Sequence, residues 1–231
     1  MKLTLLELLR TVDTPTVCNS IEQVEGKRGF NGFTRGTVLS SDPSGRPMVG
    51  FARTAKIAGN EPSKEADDVI SQRRMTYYRY MSEGARPGVA VIEDIDGPDA
   101  VSAYWGEVNT VIHKGFGLDG ALTNGVMRDL GDMAADFPVI AGSVGPSHAF
   151  VHVRDVDCPV TVFGLTICPG DFIHADRHGA VVVPADYLSE LESGIHKLLA
   201  TEKLILEPAK QKGFDFAALE VAWANFEKAR V

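Results

Sequence analysis

"GFGLDGALTNGVMRD", residues 115–129, holds two patterns, and the choice between them decides how the chain folds. Gly115, Gly117 and Gly120 form G-x-G-x-x-G, the pattern of a dinucleotide-binding loop. Such a loop needs a strand before the glycines and a helix after them. Only then do backbone N–H groups and the helix N-terminus face the pyrophosphate. The flanks here run the other way. "GEVNTVIHKG" (106–115) reads as a helix starting near Gly106 and ending at Gly115, and "GALTN" (120–124) reads as a strand. The glycines therefore read as a helix C-terminus and a tight turn. The second pattern lies at the end of the stretch, where a strand passes through Gly125 into Arg128-Asp129. That places a guanidinium fork and a hard oxygen ligand at a strand end, a usual site position in α/β proteins. Taken alone, Arg-Asp is so common that it reads as a surface ion pair or a helix cap.

Outward from this stretch the chain reads as one α/β domain over residues 1–231, with helical segments at both ends and a strand-rich centre. Leu3, Leu6, Leu9 and Val12 give a short helix over 3–12, followed by a second helix with Thr14 as N-cap and Pro15 in its first turn. "PMVGFARTAKI" (47–57) reads as a strand with Val49, Phe51 and Ala55 on one face, "SKEADDVISQRRMTYYRYMSEG" (63–84) as a polar helix, and "GVAVIED" (88–94) as a buried strand. "PVIAG" (138–142), "PVTVFGLTI" (159–167, broken at Gly164) and "GAVVVP" (179–184) add strands. Asp186 caps a helix with Leu188, Leu191, Ile195 and Leu198 on one stripe, ended or kinked by Pro208. A last helix over 215–229 carries Phe216, Leu219, Trp223 and Phe226.

Composition excludes several function classes. With 31 acidic and 23 basic residues the net charge is −8, which argues against nucleic-acid binding, a function that needs Lys and Arg to neutralise phosphates. Cys18, Cys158 and Cys168 stand far apart without C-x-x-C, as expected of reduced thiols in a cytoplasmic protein. The opening "MKLTLLELLRTVDTPTV" does not read as a signal peptide, since Glu7 and Arg10 interrupt its apolar run, and no stretch approaches the roughly 20 apolar residues of a membrane span.

The wider pattern around Arg128-Asp129 is more specific. Glu107 follows "WG" and is separated by 20 residues from Arg128-Asp129, with Asp132 three residues beyond. Downstream comes "PVTVFGLTICPGDFIHADRHGAVVVP" (159–184), while "DTPTVCNSIE" and "VGFARTA" lie upstream. Across about residues 13 to 184 these blocks resemble the RraA-like family, the regulators of ribonuclease activity A together with the 4-hydroxy-4-methyl-2-oxoglutarate aldolases. The resemblance implies an α/β/α sandwich around a central β-barrel-like sheet. It also implies a homotrimer or hexamer with sites at subunit interfaces, and a class II aldolase. Such an enzyme uses Mg2+ or Mn2+ to cleave a 4-hydroxy-2-oxo acid and to decarboxylate oxaloacetate. By the same pattern Gly106, Glu107, Val108, Asn109 and Arg128 bind substrate, Asp129 holds the metal, and His152 touches the distal end of the substrate. A glutamate of the neighbouring subunit's C-terminal region completes the site, with Glu202 the candidate. Two positions depart from the pattern: it usually has Asp where this chain has Glu107 and Asn19.

The chemistry of these residue types agrees. Retro-aldol cleavage and β-decarboxylation both leave pyruvate as an enolate, so the catalyst must stabilise charge on the former keto oxygen, as a chelated divalent cation does. Asp129 supplies a ligand, Arg128 clamps a carboxylate, and the N–H groups opening the helix at 106 add donors. Glu107 orients a water or relays a proton. The alternative is a non-enzymatic regulator that binds and inhibits a ribonuclease, with an acidic surface suited to a basic partner; the full Glu-Arg-Asp set would be unnecessary there. Methyltransferase names attach to the family too, but no S-adenosylmethionine glycine loop follows the first strand here. The pairs His148/His152 and His174/His178 have i, i+4 spacing but lack the metalloprotease Glu and fall in strand and loop. Ser147-His148 lacks a nucleophile elbow, and Asp171 in "PGD" reads as a turn residue.

Overall fold

The computed structural model describes residues 3–230; residues 1, 2 and 231, and the side chains of Leu3 and Arg230, lie outside the description. The chain runs α1 (Leu3–Leu9), α2 (Thr14–Glu25), β1 (Leu39–Ser40), β2 (Met48–Ala58), α3 (Asp67–Ser82), β3 (Gly88–Asp94), β4 (Ala103–Trp105), α4 (Glu107–Gly115) and β5 (Leu118–Thr123). It continues through β6 (Val126–Met127), β7 (Val139–Ala141), β8 (Ser143–Val144), β9 (His152–Val156), β10 (Val160–Val162), β11 (Leu165–Ile167), β12 (Phe172–Asp176), β13 (Gly179–Val183), α5 (Leu191–Ala209) and α6 (Phe216–Arg230).

Eight strands form one mixed sheet, curled into a half-barrel, in the order β1-β7-β5-β3-β2-β12-β13, with β9 pairing the far half of β2. Its centre, β2-β3-β5-β7, is parallel. Side chains alternate across this sheet, as the period of two requires. On one face Ala55, Ile57, Ala90, Ile92 and Ala121 meet Tyr77 and Met81 of α3 and Trp105 before α4. Farther along the same face Val49, Phe172, Val181 and Val183 meet α1, α2 and α5. The other face, with Met48, Ala52, Val89, Val91 and Leu122, is closed by the hairpin β10-β11 through Val160, Val162, Leu165 and Ile167. The mixed α/β class expected from sequence is what the structure has, and the face carrying Val49, Phe51 and Ala55 is as read.

The glycine stretch resolves in favour of a turn. Gly115 ends α4, Gly117 takes φ 80°, and Gly120 lies inside β5. A Cβ at Gly120 would sit 2.7 Å from the Pro138 carbonyl oxygen and 2.9 Å from Met48 Sδ, so this glycine serves strand packing. Three local expectations shift. Asp13, not Thr14, caps α2, accepting from the Thr16 N–H at 2.9 Å. Asp186 sits in a 3-10 turn over Ala185–Tyr187, and α5 begins only at Leu191, because the chain tightens before the helix opens. The stripe on α6 is split: Ala222 is buried, Leu219 and Phe226 are half-buried, and Phe216 and Trp223 face outward, because α6 packs mainly against α5.

Asp119, which no sequence motif marks, ties three segments together. It is 6% exposed and accepts from Arg10 Nη2 (2.7 Å), Arg46 Nη1 (2.8 Å), Arg46 Nη2 (3.0 Å) and the buried Val49 N–H (2.8 Å). Removing the carboxylate orphans that N–H and leaves two guanidinium groups in need of water. An Asp119→Ala variant should lose roughly 2–4 kcal/mol in urea unfolding; a loss under about 0.5 kcal/mol would show the cluster to be a solvated surface pair.

Candidate functional site

The parallel strands of the main sheet do not stop at its edge. β5 passes through Asn124-Gly125 into β6, and β7 passes through Gly142 into β8. With β4 these make a second, parallel three-stranded sheet, order β4-β6-β8. The passage requires glycine. A Cβ at Gly125 would lie 2.9 Å from the Asp94 side chain, and one at Gly142 would collide with the Asn124 backbone. Asp94 is buried with its Oδ2 unpaired among the described residues, and burial raises its carboxyl to about 6.

The ends of β4 and β6 carry the residues singled out by sequence. β4 ends at the fully buried Trp105, and Gly106 caps α4. β6 ends at Met127, and the Arg128 N–H donates to the Trp105 carbonyl at 2.8 Å, holding the two ends side by side. Asp129 then takes φ 54°, a left-handed conformation that Asp tolerates better than most residues. That turn brings its Oδ2 to 3.2 Å from the Glu107 N–H and 3.5 Å from Arg128 Nε. Gly106 leaves the space: a Cβ there would collide with Asp129 Oδ2 and lie 3.1 Å from Arg128 Cγ. The Asp129 carbonyl accepts from the Asp132 and Met133 N–H groups at 2.9 and 3.1 Å, which closes the loop. Thr110 Oγ1, donating to the Gly106 or Glu107 carbonyl, accepts from the Ala134 N–H at 3.0 Å and ties that loop to α4.

Gly106, Glu107, Arg128 and Asp129 are thus brought together, with Arg128 and Asp129 about one-third exposed. The Glu107 side chain is exposed, and so is that of Val108, which offers the site only its backbone N–H. Asn109 does likewise. Its Nδ2 donates to the Tyr104 carbonyl at 2.7 Å and its Oδ1 accepts from Tyr78 Oη at 2.9 Å, so its amide is already engaged. His152 is buried on β9 beside Ala58 of β2. Its Nδ1 donates to the Phe150 carbonyl at 2.9 Å, and its Nε2 has no partner among the described residues. Glu202 lies on α5, lining a cavity of about 560 Å³ with Asn19, Gln23 and Arg28 of the α2 region and Phe226 of α6. No hydrogen bond or ion pair among the described residues joins His152 or Glu202 to the strand-end pair.

The other candidates take structural roles. His174 Nε2 donates to the Leu9 and Val12 carbonyls while Nδ1 accepts from Thr14 Oγ1 at 3.0 Å. Ser147 Oγ accepts from the Ala149 N–H, and His148 Nδ1 meets the Ala149 carbonyl. Asp171 accepts from the Cys168 N–H at 2.8 Å, as a turn residue does.

A divalent cation can be tested against these atoms. Among the described residues no group of three or more His, Cys, Asp or Glu side chains could hold a metal. The Asp129 Oδ2 atom is engaged, while no described donor takes Oδ1. One free carboxylate oxygen beside an arginine fits Mg2+ or Mn2+, which keeps several waters and takes ligands from a substrate. It does not fit a metal with a dedicated protein cage.

Comparisons with known proteins bear on the family and the fold. A family model described as RraA-like, Aldolase/RraA, matches residues 14–182. A Halalkalibacterium halodurans protein carrying the provisional name of 4-hydroxy-4-methyl-2-oxoglutarate aldolase is 26% identical over 177 residues, covering 76% of this chain and 71% of that protein. Protein DlpA of Legionella pneumophila is 28% identical over 195 residues, 81% of this chain but only 30% of the relative's length. The crystal structure of Streptomyces coelicolor RraAS2, described as an unusual member of the RNase ES inhibitor RraA family, superposes with a TM-score of 0.65 at 22% identity, covering 92% of this chain and 98% of that one. No helix among the described residues is long and apolar enough to cross a membrane. With the match running through both strand ends that carry the site, the chain belongs to the RraA-like family.

Proposed function

We propose that the chain is a carbon–carbon lyase acting on small 2-oxo acids, by retro-aldol cleavage of a 4-hydroxy-4-methyl-2-oxoglutarate type of substrate or by decarboxylation of oxaloacetate. The observation that carries the reading is the juxtaposition of Arg128, the Asp129 carboxylate and the first turn of α4 at two adjacent parallel strand ends. The provisional name of the Halalkalibacterium relative supports the same class.

A Mg2+ or Mn2+ ion held by Asp129 would supply Lewis-acid charge at the substrate's keto oxygen. The remaining work falls to the chain. Arg128 pairs with the substrate carboxylate through its planar fork, fixing the plane of the 2-oxo acid. The N–H groups of Val108 and Asn109, in a first turn without intrahelical acceptors, add positive potential for the same anion. The exposed Glu107 carboxylate holds or moves a proton through a water at the scissile side. It is one methylene longer than the Asp of the family pattern, so it reaches farther from the helix end.

We further propose a homo-oligomer, trimer or hexamer, in which Glu202 of a neighbouring copy approaches the strand-end pair. Phe216 and Trp223, seven positions apart on one face of α6 and 71% and 49% exposed, supply an apolar surface with no cover in the single chain. Light scattering should give three or six times 24.9 kDa. A monomer at micromolar concentration would remove Glu202 from the site.

A second reading, inhibition of a ribonuclease partner, draws on the net charge of −8 and on the description of the Streptomyces structure. One pair of variants separates the two. Arg128→Lys keeps the charge and loses the fork, and should lower kcat/KM for oxaloacetate about ten- to several-hundred-fold. Asp129→Ala should abolish the metal-dependent rate in the same assay. Wild-type rates in both variants, or no pyruvate release by the wild type with Mg2+ or Mn2+, would reject the lyase. Ribonuclease inhibition by an inactive wild type would establish the regulator instead.

A further inference from the structure

Beneath the first turn of α4 runs a chain of buried and part-buried hydrogen bonds that the proposed chemistry does not use. His113, fully buried one turn along the helix from Asn109, has Nδ1 at 2.6 Å from the Asn109 carbonyl and Nε2 at 2.6 Å from Tyr77 Oη. A carbonyl can only accept, so Nδ1 carries the proton and Tyr77 donates to Nε2. Burial lowers the imidazole to about 4 and pushes the Tyr77 phenol up, so both groups are neutral at pH 7 and the direction of each bond is fixed. The Asn109 amide then links Tyr78 of α3 to the Tyr104 carbonyl in β4.

Aromatic rings enclose these bonds. The Trp105 and His113 rings lie 4.7 Å apart, Tyr77 and Tyr104 5.8 Å at 84°, and Tyr78 and His113 6.0 Å. The partners of Asn109 and His113 lie on α3, on β4 and within α4 itself; β4 ends at Trp105, next to Gly106, and α4 begins with the Glu107 N–H that meets Asp129. The first turn is therefore gripped from both sides, by the Asp129 loop and by α3. Tyr104 Oη and Trp105 Nε1 beside these bonds have no partner among the described residues, but every polar atom of the Asn109 amide and the His113 ring is engaged, and directional bonds specify one arrangement where packing alone would tolerate several.

We propose that Tyr77, Tyr78, His113 and the Asn109 amide are positioning residues of the strand-end site: they fix the angle at which the first-turn N–H groups of α4 and Glu107 face Arg128 and Asp129. The inference rests on the reading of that site as one that binds a 2-oxo acid anion. Its consequence is that removing a hydroxyl remote from substrate loosens the anion-binding turn.

The test uses Tyr78→Phe and Tyr77→Phe in the full chain. Tyr78 is half-buried, so its Phe variant keeps the ring and admits water to Asn109; it carries the test if Tyr77→Phe fails to fold. Three readouts are taken: kcat and KM for oxaloacetate, affinity for oxalate with Mg2+ by calorimetry, and amide hydrogen exchange. Expected for Tyr78→Phe are a three- to thirty-fold weaker oxalate affinity, a matching rise in KM with a smaller change in kcat, and faster exchange confined to residues 107–110. Unchanged oxalate affinity together with a lowered melting temperature would overturn the proposal and leave the network a packing element. If the wild type binds oxalate but turns over no 2-oxo acid, the lyase reading fails while the oxalate arm still decides this one. If it binds no oxalate, there is no anion site to position and both fail.

Discussion

One carboxylate oxygen joins the two halves of the site. Asp129 Oδ2 accepts the Glu107 N–H across the ends of two parallel strands, and most of what surrounds it exists to let that contact form. Gly106 must lack a side chain because Asp129 fills the space a Cβ would take. Asp129 must turn through a positive φ to bring the oxygen round. Gly125 and Gly142 must lack side chains so that β5 and β7 can pass out of the main sheet and become β6 and β8. The geometry follows from close approaches to these glycines, by the Asp129 and Asp94 side chains at Gly106 and Gly125 and by the Asn124 backbone at Gly142.

This also explains which parts of the molecule were legible in the sequence. Long periodic segments were. The face of β2 carrying Val49, Phe51 and Ala55 and the turn at Gly164 show in residue spacing, because burial selects the residues along each element. Of the strands that build the site, only β6 shows in the sequence, as the strand passing through Gly125 into Arg128-Asp129; β4 and β8 do not. β6 and β8 are two residues long and β4 is three, too short to show a period of two. The residues of the site were found by the spacing of Glu107 and Arg128-Asp129, a signal of family likeness.

Contacts between distant segments left no trace at all. Asn109 looks like a binding residue in its motif, yet its amide is held by Tyr78, 31 positions away. Asp119 looks like part of a glycine loop, yet it binds Arg10 across 109 positions. His113 carries no motif and sits at the centre of the network under α4. In each case an ordinary residue gains its role from the topology of the sheet, which brings α1, α3, β4 and β5 together after the local elements have formed.

The fold serves both activities found in this family, so the argument for chemistry rests on the strand-end atoms alone. The central claim is that Asp129 and Arg128 jointly take a divalent cation and a 2-oxo acid anion. Paramagnetic resonance of Mn2+ added to the wild-type protein tests it directly. The account predicts weak Mn2+ binding that tightens at least tenfold when oxalate is present, since one carboxylate leaves most of the coordination sphere to water and anion. Mn2+ binding absent, or present and indifferent to oxalate, would contradict it.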